Sequence, residues 1–547
     1  MSNIKSNSKN TKRRINEINQ SLSINIFKPI NEKLGTLKGL NDGFIHYQIL
    51  TDVLLRMKIT NEDFYELMCL CRSEINNDQD ELKILHEFQE TYSSTQALWW
   101  YTRESFVYLL LNLALRFQDI DLLYLFRFFI CDLQSQLEIH QCTESIRVYR
   151  GQYMSKEELQ ILKSSLGQFI STNAFLSTSI SMDEALSFLD HKLLTDNFQR
   201  VLFVIDANPK IKGIKPFANI ASQSYFPDEQ EILFMIGSIF QIMKIYFSNK
   251  ENVWIIHMTL SNDSKHELKS VFDLMKNEYG AGETGLLSLG RILRQMGKFD
   301  QAEKFYQRFL DEKQDENDQN LAQCYHLLGN NAFDQGKYVQ SFKYHFKSLE
   351  IKKENFPSND PSLAYSLNSL GIVSWKKGNK EQALGYYQQA LHIWIEAYGE
   401  DDLRVAMCYN NIAIIYDDEK NYFQALEYYE KTLSIRLKHL PKEHYQIGDI
   451  YNNIGTVHHS LNHLDLALEY LHGSLEIFEK ILSSKHPSIA STCKNIGIIY
   501  EMKKNFIDAL RFYNKAANIF HQTLTNQHSD VIEINRLIRR VTSQLTQ

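Results

Sequence analysis

"NNIAIIYDDEKNYFQALEYY", Asn410–Tyr429, is one copy of a pattern that recurs through the C-terminal half of the chain. It sets a small residue, Ala413, then another twelve positions later, Ala425, and an aromatic fifteen positions later, Tyr428. The same three marks return as Gly290, Ala302 and Phe305; Gly329, Ser341 and Tyr344; Gly371, Ala383 and Tyr386; Gly455, Ala467 and Tyr470; and Gly497, Ala509 and Phe512. Successive first marks are 39, 42, 42, 42 and 42 residues apart. Six copies in register describe a helical hairpin. Small residues let its two helices approach closely, and the aromatic fills the space between hairpins. One hairpin cannot bury its apolar face alone, so the copies must stack into a solenoid.

This unit resembles the tetratricopeptide repeat (TPR), whose usual period is about 34 residues. Its greater length is similar to that of the kinesin-light-chain variant. The resemblance covers roughly Leu286 to Leu524 and implies six repeats over residues 286–524, followed by a C-terminal capping helix over 525–547. A solenoid offers a concave surface. Asn368, Asn410 and Asn452 recur along it, with Asn411, Asn453 and Asn495 beside them. Their amides have two readings: clamps for an extended peptide of a target protein, or bonds between neighbouring hairpins. "HHSLNH" places His458, His459 and His463 at a spacing that suits a metal. But His458 takes the slot that Tyr416 and Tyr500 fill in the flanking copies, so it reads as structural and no metal is expected.

A chain of 547 residues holds several domains. Its net charge of -7 comes from 59 basic and 66 acidic residues, which leaves no footprint for nucleic acid or an anionic membrane. Eight prolines allow long uninterrupted helices. The seven cysteines (Cys69, Cys71, Cys131, Cys142, Cys324, Cys408 and Cys493) form no Cys-x-x-Cys pair and fit reduced thiols in a cytoplasmic protein. The polar N-terminus lacks the apolar core of a signal peptide. Residues 1–24 read as a disordered tail and 25–84 as a helical region, with Asn25 to Arg72 largely helical. The longest apolar run, Phe106 to Leu115, is too short to span a bilayer and reads as a buried helix.

The middle of the chain breaks the helical pattern. "IRVYR" (146–150), "RVLFVIDA" (200–207), "EILFMIGSIFQIMKIYF" (231–247) and "NVWIIHMTL" (252–260) are rich in β-branched and aromatic residues, as strands are. Before them, Gln96 to Leu137 reads as two helices around "QDID". Three landmarks sit at strand edges: Arg150 at the end of a strand with Gly151 after it; Ser177, Thr178 and Ser179 in "FLSTSIS"; and Glu229 and Glu231 in "FPDEQEILF". If Glu231 opens a strand, both carboxylates point to one site. Like charges that close raise each other's proton affinity. Such a pair faces a cation or does chemistry, or else it is a solvated loop.

Arg, then Ser-Thr-Ser, then Glu-x-Glu, in that order, resembles the arginine-specific mono-ADP-ribosyltransferases of the R-S-E class. "ALWWYTRESFVYLLLNLALRFQD" (97–119) is similar to the helical segment of the animal enzymes of that family. The resemblance implies a multidomain chain. An α+β transferase domain over residues 85–260, helices followed by a two-sheet β core, joins the all-α TPR solenoid through a helical linker over 261–285. It also implies NAD as substrate with no permanently bound cofactor. ADP-ribose would pass to arginine side chains of a target protein recruited by the array, with release of nicotinamide. On this resemblance Glu231 hydrogen-bonds the ribose 2′-hydroxyl, Arg150 holds NAD, Gly151 gives backbone access to the nicotinamide amide, Ser177 braces Glu231, and Glu229 receives the acceptor arginine. The alternatives are an NAD glycohydrolase, and a TPR scaffold with an inert transferase domain.

Overall fold

The structure is a computed structural model describing residues 24–27, 42–75, 79–189, 197–262, 282–312, 319–482, 484–525 and 527–546. The expected tail over 1–24 and linker over 261–285 lie almost wholly outside the described residues. The chain divides into two compact units, one continuing through Phe305 and the other from Tyr306 to the C-terminus.

The first unit opens with a strand where helix was expected. β1 (Ile24–Phe27) pairs antiparallel with β3 (Phe169–Thr172) along Ile24↔Thr172 to Phe27↔Phe169. Its alternation turns Ile24 and Ile26 toward the core, which suits a pleated edge better than a helix face. Helices α1 (Asp42–Leu55), α2 (Asn61–Glu74), α3 (Gln79–Thr91), α4 (Ala97–Thr102), α5 (Phe106–Phe117) and α6 (Ile120–Ile139) follow. Gln96 to Leu137 therefore holds three helices, not two. The "QDID" joint works as read: Gln118 ends α5 in the left-handed region (φ 51°), and the Asp119 carboxylate accepts from the Leu122 N–H at 3.2 Å to start α6. α5 is the buried apolar run.

Among the described residues, nine strands form the sheet in the order β1-β3-β8-β9-β5-β2-β4-β7-β6. They are β2 (Ile146–Ser155), β4 (Leu176–Ser179), β5 (Phe198–Ala207), β6 (Phe217–Asn219), β7 (Glu231–Phe234), β8 (Ile239–Ser248) and β9 (Val253–Ser261), with β1 and β3 as above. Two short helices, α7 (Lys156–Lys163) and α8 (Met182–Ser187), lie between them in sequence. The two-sheet core is built as two halves of one hydrogen-bonded sheet, joined between β2 and β4 at the pair Tyr149↔Ser179. The places where the chain crosses from half to half include Asn173–Phe175 and Met235–Ser238, where Gly237 takes φ +72°. That second crossing breaks the apolar stretch 231–247 into β7 and β8. Phe234 stacks on its cross-strand partner Phe217 at 5.0 Å and meets Phe240 of the other half edge-on at 5.5 Å. Ile170, Phe203, Ile232 and Met258 fill the same core, each worth about 1.5–3 kcal/mol of apolar burial.

The array is all helical: α9 (Leu286–Gln295), α10 (Phe299–Glu312), α11 (Gln319–Asp334), α12 (Tyr338–Asn355), α13 (Pro361–Lys376), α14 (Lys380–Tyr398), α15 (Leu403–Asp418), α16 (Tyr422–His439), α17 (Tyr445–Ser460), α18 (Leu464–Ile481), α19 (Pro487–Met502), α20 (Phe506–Thr523) and α21 (Ser529–Leu545). The division between units falls inside α10, so α9 belongs with the sheet. In the later hairpins the small residues fit tightly. A Cβ on Gly371 would come 2.5 Å from the Tyr387 ring, and one on Gly497 2.5 Å from Tyr513. The group filling each notch thus lies one position beyond the aromatic of the pattern. That aromatic instead stacks on a ring of the first helix: Tyr428 on Tyr416 at 5.7 Å, Tyr470 on His458 at 5.6 Å, Phe512 on Tyr500 at 5.7 Å. His458 is a stacking ring, like the tyrosines around it. The Asn411 amide donates to the Asn368 Oδ1 at 3.0 Å, and Asn495 to Asn452 at 3.4 Å. For these pairs the amides bond hairpin to hairpin.

Candidate active site

Arg150 lies mid-strand, not at a strand end. β2 pairs with β5 without interruption from Ile146↔Ala207 to Ser155↔Phe198, and Gly151 sits inside that ladder opposite Leu202. Glycine is required there by a close approach: a Cβ would lie 1.9 Å from the Ala185 carbonyl oxygen of α8. Beyond Tyr149↔Ser179, the Arg150 side chain continues the contact between β2 and β4. Its Nη1 donates to the Ser177 carbonyl at 2.7 Å, and its Nε to the Gln152 Oε1 at 3.4 Å.

β4 and β7 pair as Ser177↔Leu233, Thr178↔Ile232 and Ser179↔Glu231. Glu231 is the first residue of its strand, as the sequence suggested. The three hydroxyls of "STS" have three separate partners. Thr178 faces the opposite side of the strand and donates to the Ile232 carbonyl at 2.8 Å. Ser179 donates to the Glu184 carboxylate at 2.5 Å and accepts from the Ser181 N–H at 2.9 Å, tying down the start of α8. Ser177 hydrogen-bonds the Glu231 carboxylate. It does so across the diagonal of an antiparallel pair, a span that a long side chain covers.

Glu231 is half-buried. Burial pushes its carboxyl above the usual range, the Ser177 hydrogen bond pulls it down, the neighbouring Glu229 charge pushes it up, and Arg150 pulls it down. Glu229 stands exposed in the loop, and its carbonyl accepts from the Glu231 N–H at 2.9 Å. The structure thus brings Arg150, Ser177 and Glu231 into one cluster, with Glu229 at its edge and Gly151 on the adjoining stretch of β2.

The sequence reading missed several members. Tyr101 of α4 is buried and close enough to Glu231 and Arg150 for their charges to act on its hydroxyl, which burial holds well above its ordinary range. Its ring lies 5.7 Å from Tyr108 of α5 and 5.0 Å from Phe175. Gln152, beside Arg150, is buried. The loop bearing Glu229 is pinned to the end of α4. The Tyr225 N–H donates to the Thr102 Oγ1 at 2.8 Å, and the Tyr225 ring meets Trp99 at 5.4 Å. Arg103 stacks over Trp99 and Trp100 and pairs with Glu87 at 2.9 Å. The segment "ALWWYTRES" stands out in the sequence, but no one-dimensional signal says which of its aromatics face the strands.

Two family models match successive parts of the chain. A family model described as ADP-ribosyltransferase exoenzyme matches residues 74–263. One described as tetratricopeptide repeat matches 283–354, 362–438 and 446–522. No curated protein matches the chain. Among solved structures, the chain is similar to BtubC (BKLC) from P. vanneervenii, at 20% identity and a TM-score of 0.36 over 43% of this chain and 92% of that one. It is also similar to the putative kinesin light chain TPR-like repeats of Podosopora anserina, at 18% identity and a TM-score of 0.34 over 40% of this chain and 100% of that one. Residues 74–263 therefore carry an ADP-ribosyltransferase exoenzyme domain, and the segments between 283 and 522 carry tetratricopeptide repeats, in a single chain.

Proposed function

We propose that this protein transfers ADP-ribose from NAD to arginine side chains of a target protein, releasing nicotinamide, and that its TPR array recruits the target. The observation that carries the reading is the Glu231 carboxylate held by Ser177 beside Arg150, with a second carboxylate, Glu229, exposed next to it. The bond that breaks joins the ribose C1′ to the nicotinamide nitrogen. Nicotinamide leaves with the electron pair and becomes neutral, so no general acid is needed. The transition state resembles an oxocarbenium ion, as in glycoside hydrolysis. A fixed carboxylate under the ribose stabilises that charge where it develops, and Glu231 supplies it through the 2′-hydroxyl. Arg150 holds the dinucleotide with its rigid donor fork. Gly151 leaves the β2 backbone clear beside it, and Ser177 keeps the Glu231 carboxylate aimed. The acceptor guanidinium nitrogen bonds to C1′ and gives up a proton. Glu229 pairs with that guanidinium and takes the proton. The seven cysteines, none of them in a disulfide among the described residues, suit a reducing compartment, and we place the enzyme in the cytoplasm.

The test is to incubate the protein with labelled NAD and a small guanidino acceptor, measuring nicotinamide release and acceptor labelling on one sample. Wild type should do both. Glu229→Gln should lose acceptor labelling while NAD cleavage by water largely survives. Parallel loss of both would place Glu229 in NAD handling and overturn its role with the acceptor. Nicotinamide release without labelling in wild type would point to an NAD glycohydrolase, and neither product to an inert domain.

A further inference from the structure

Helix α1 precedes the segment matched to the transferase family, yet it grips two places where the chain crosses between the halves of the sheet, β3 to β4 and β7 to β8. The Tyr47 hydroxyl donates to the Asn173 carbonyl at 2.6 Å, in the crossing from β3 to β4. The Gln48 Nε2 donates to the Gly237 carbonyl at 2.9 Å, in the crossing from β7 to β8. Both side chains are buried, at 1% and 4% exposure, on a helix whose other buried groups are mostly apolar: Phe44, Ile45, Ile49, Leu50 and Val53. The crossings are also bonded to each other through the Gly237 N–H and the Thr172 carbonyl at 2.8 Å. Lys215 adds a donor to the Ile236 carbonyl at 3.1 Å, and Asn25 of β1 donates to the Asn173 Oδ1 at 2.8 Å.

These crossings end the two strands that carry the site. Ser177 is four residues from Asn173, and Glu231 is six residues from Gly237. Between them the strands are paired and extended, so a displacement at the crossing travels along the ladder to the reacting end. The contact at stake is a diagonal one between the Ser177 hydroxyl and the Glu231 carboxylate. It depends on how β4 and β7 sit relative to each other. Two crossings held by adjacent residues of one helix cannot move independently. We propose that Tyr47 and Gln48 are positioning residues for the transferase site, fixing the strands of Ser177 and Glu231 from outside the matched domain. This rests on the reading of that site given above. The transferase would then need α1 for its activity, although Tyr47 and Gln48 bond to the crossings and not to the reacting groups.

The test compares full-length wild type with Tyr47→Phe, Gln48→Met and, as a control, Leu159→Ala, which removes packing from the same core without touching a crossing. NAD affinity, nicotinamide-release turnover, thermal stability and amide exchange are measured for each. Tyr47→Phe and Gln48→Met should lower turnover about 10- to 100-fold, the scale of a misplaced catalytic group. Their NAD affinity should stay within about twofold, and exchange should quicken in Ser177–Ser179 and Glu231–Phe234 but not in α2 or α3. Leu159→Ala should lose stability and keep its turnover per folded molecule. Unchanged turnover in both α1 variants, or losses that only track the unfolded fraction as in the control, would overturn the proposal. If wild type cleaves no NAD, the functional reading fails, and exchange then decides separately. Unchanged exchange in β4 and β7 overturns the positioning role, and quickened exchange upholds it.

Discussion

The two parts of this chain find their contacts over different distances. In the array, Gly371 receives a ring from Tyr387 in the same hairpin, and Asn411 reaches Asn368 one hairpin away, 43 residues back. In the sheet unit, Arg150 meets Ser177 across 27 residues, Tyr47 meets Asn173 across 126, and Gln48 meets Gly237 across 189. An array of that kind adds stability repeat by repeat and tolerates local change. A sheet whose site is assembled from distant strands has no such reserve, because each strand is placed by elements far away in sequence. Equal substitutions should therefore have unequal consequences in the two regions.

The largest effect is expected at Glu231. Glu231→Gln keeps size and hydrogen bonding but removes the charge that Ser177 and Arg150 attend. Nicotinamide release should fall on the order of 10²–10³-fold, the loss seen when a preorganised transition-state contact goes. The circular dichroism spectrum and melting temperature should stay close to wild type. Near-normal turnover would remove Glu231 from the chemistry.

Next in size is a matched pair of glycines. Gly151→Ala drives a methyl to 1.9 Å from the backbone carbonyl of Ala185, in a helix start already held by Ser179 and Ser181. Gly371→Ala meets the edge of the Tyr387 ring at 2.5 Å, and a side chain can give way where a backbone cannot. Overpacking of the second kind costs about 1–3 kcal/mol, and the first should cost more. It should also take NAD turnover with it, since Gly151 adjoins Arg150. Thermal unfolding of both variants, with turnover for the first, checks this. Equal destabilisation would mean that the sheet unit is no less forgiving than the array.

The same contrast explains what could be read in advance. A unit repeated six times, mostly at 42 residues, exposes itself, so the hairpins, their small residues and the structural role of His458 were legible. At the site, Arg150, Ser177 and Glu231 were picked by resemblance, and the β-branched and aromatic run that begins at Glu231 put that residue at the head of β7. What escaped was whatever depends on chains meeting at long range. Arg150 looked like a strand end because Gly151 follows it, yet the glycine is there for the approach of α8 and the ladder runs on. Tyr101 and Gln152 carry no pattern of their own and acquire their place beside Arg150 only through packing. The group that fills each helical notch carries no signal either: it is the residue after the aromatic of the pattern, Tyr387 at Gly371 but Leu471 at Gly455, and only packing shows it.

The smallest effect separates one half of the array from the other. The opening helices α13 and α15 are capped by aspartates: Asp360 accepts from the Ser362 N–H and Asp402 from the Arg404 N–H, both at 2.8 Å. In α17, α19 and α21 the same place is taken by histidine. The Nδ1 of His444, His486 and His528 accepts from the N–H of Gln446, Ser488 and Asp530, each at 3.2 Å. A protonated imidazole has no acceptor left, and it sets a positive charge at the positive end of the helix. Burial, joined at His444 by the charge of Arg436, holds the His444 and His486 rings below their ordinary pKa. The sign then follows. A base whose folded pKa is depressed contributes stability that is whole above its unfolded value, about 6.5. That contribution is lost as pH falls through the folded pKa, because the unfolded chain takes up more protons. Neighbouring charges modify this. Burial pushes the Asp449 carboxyl up to about 6 against the pull of Tyr445 and Arg436, so its protonation adds stability and offsets part of the loss at His444. The Asp530 carboxylate, 3.5 Å from His528, offers that ring a partner when charged. His486 faces the Tyr445 ring, 6.3 Å away, and should show the effect most cleanly. A lost cap costs about 1 kcal/mol. Between about pH 7 and pH 5, amide protection in the first turns of α17 and α19 should fall relative to α13 and α15, and His486→Asp should restore it in α19. If α19 keeps its protection through that range, or His486→Asp leaves its pH dependence unchanged, the histidine caps are equivalent to the aspartates and the array is uniform along its length.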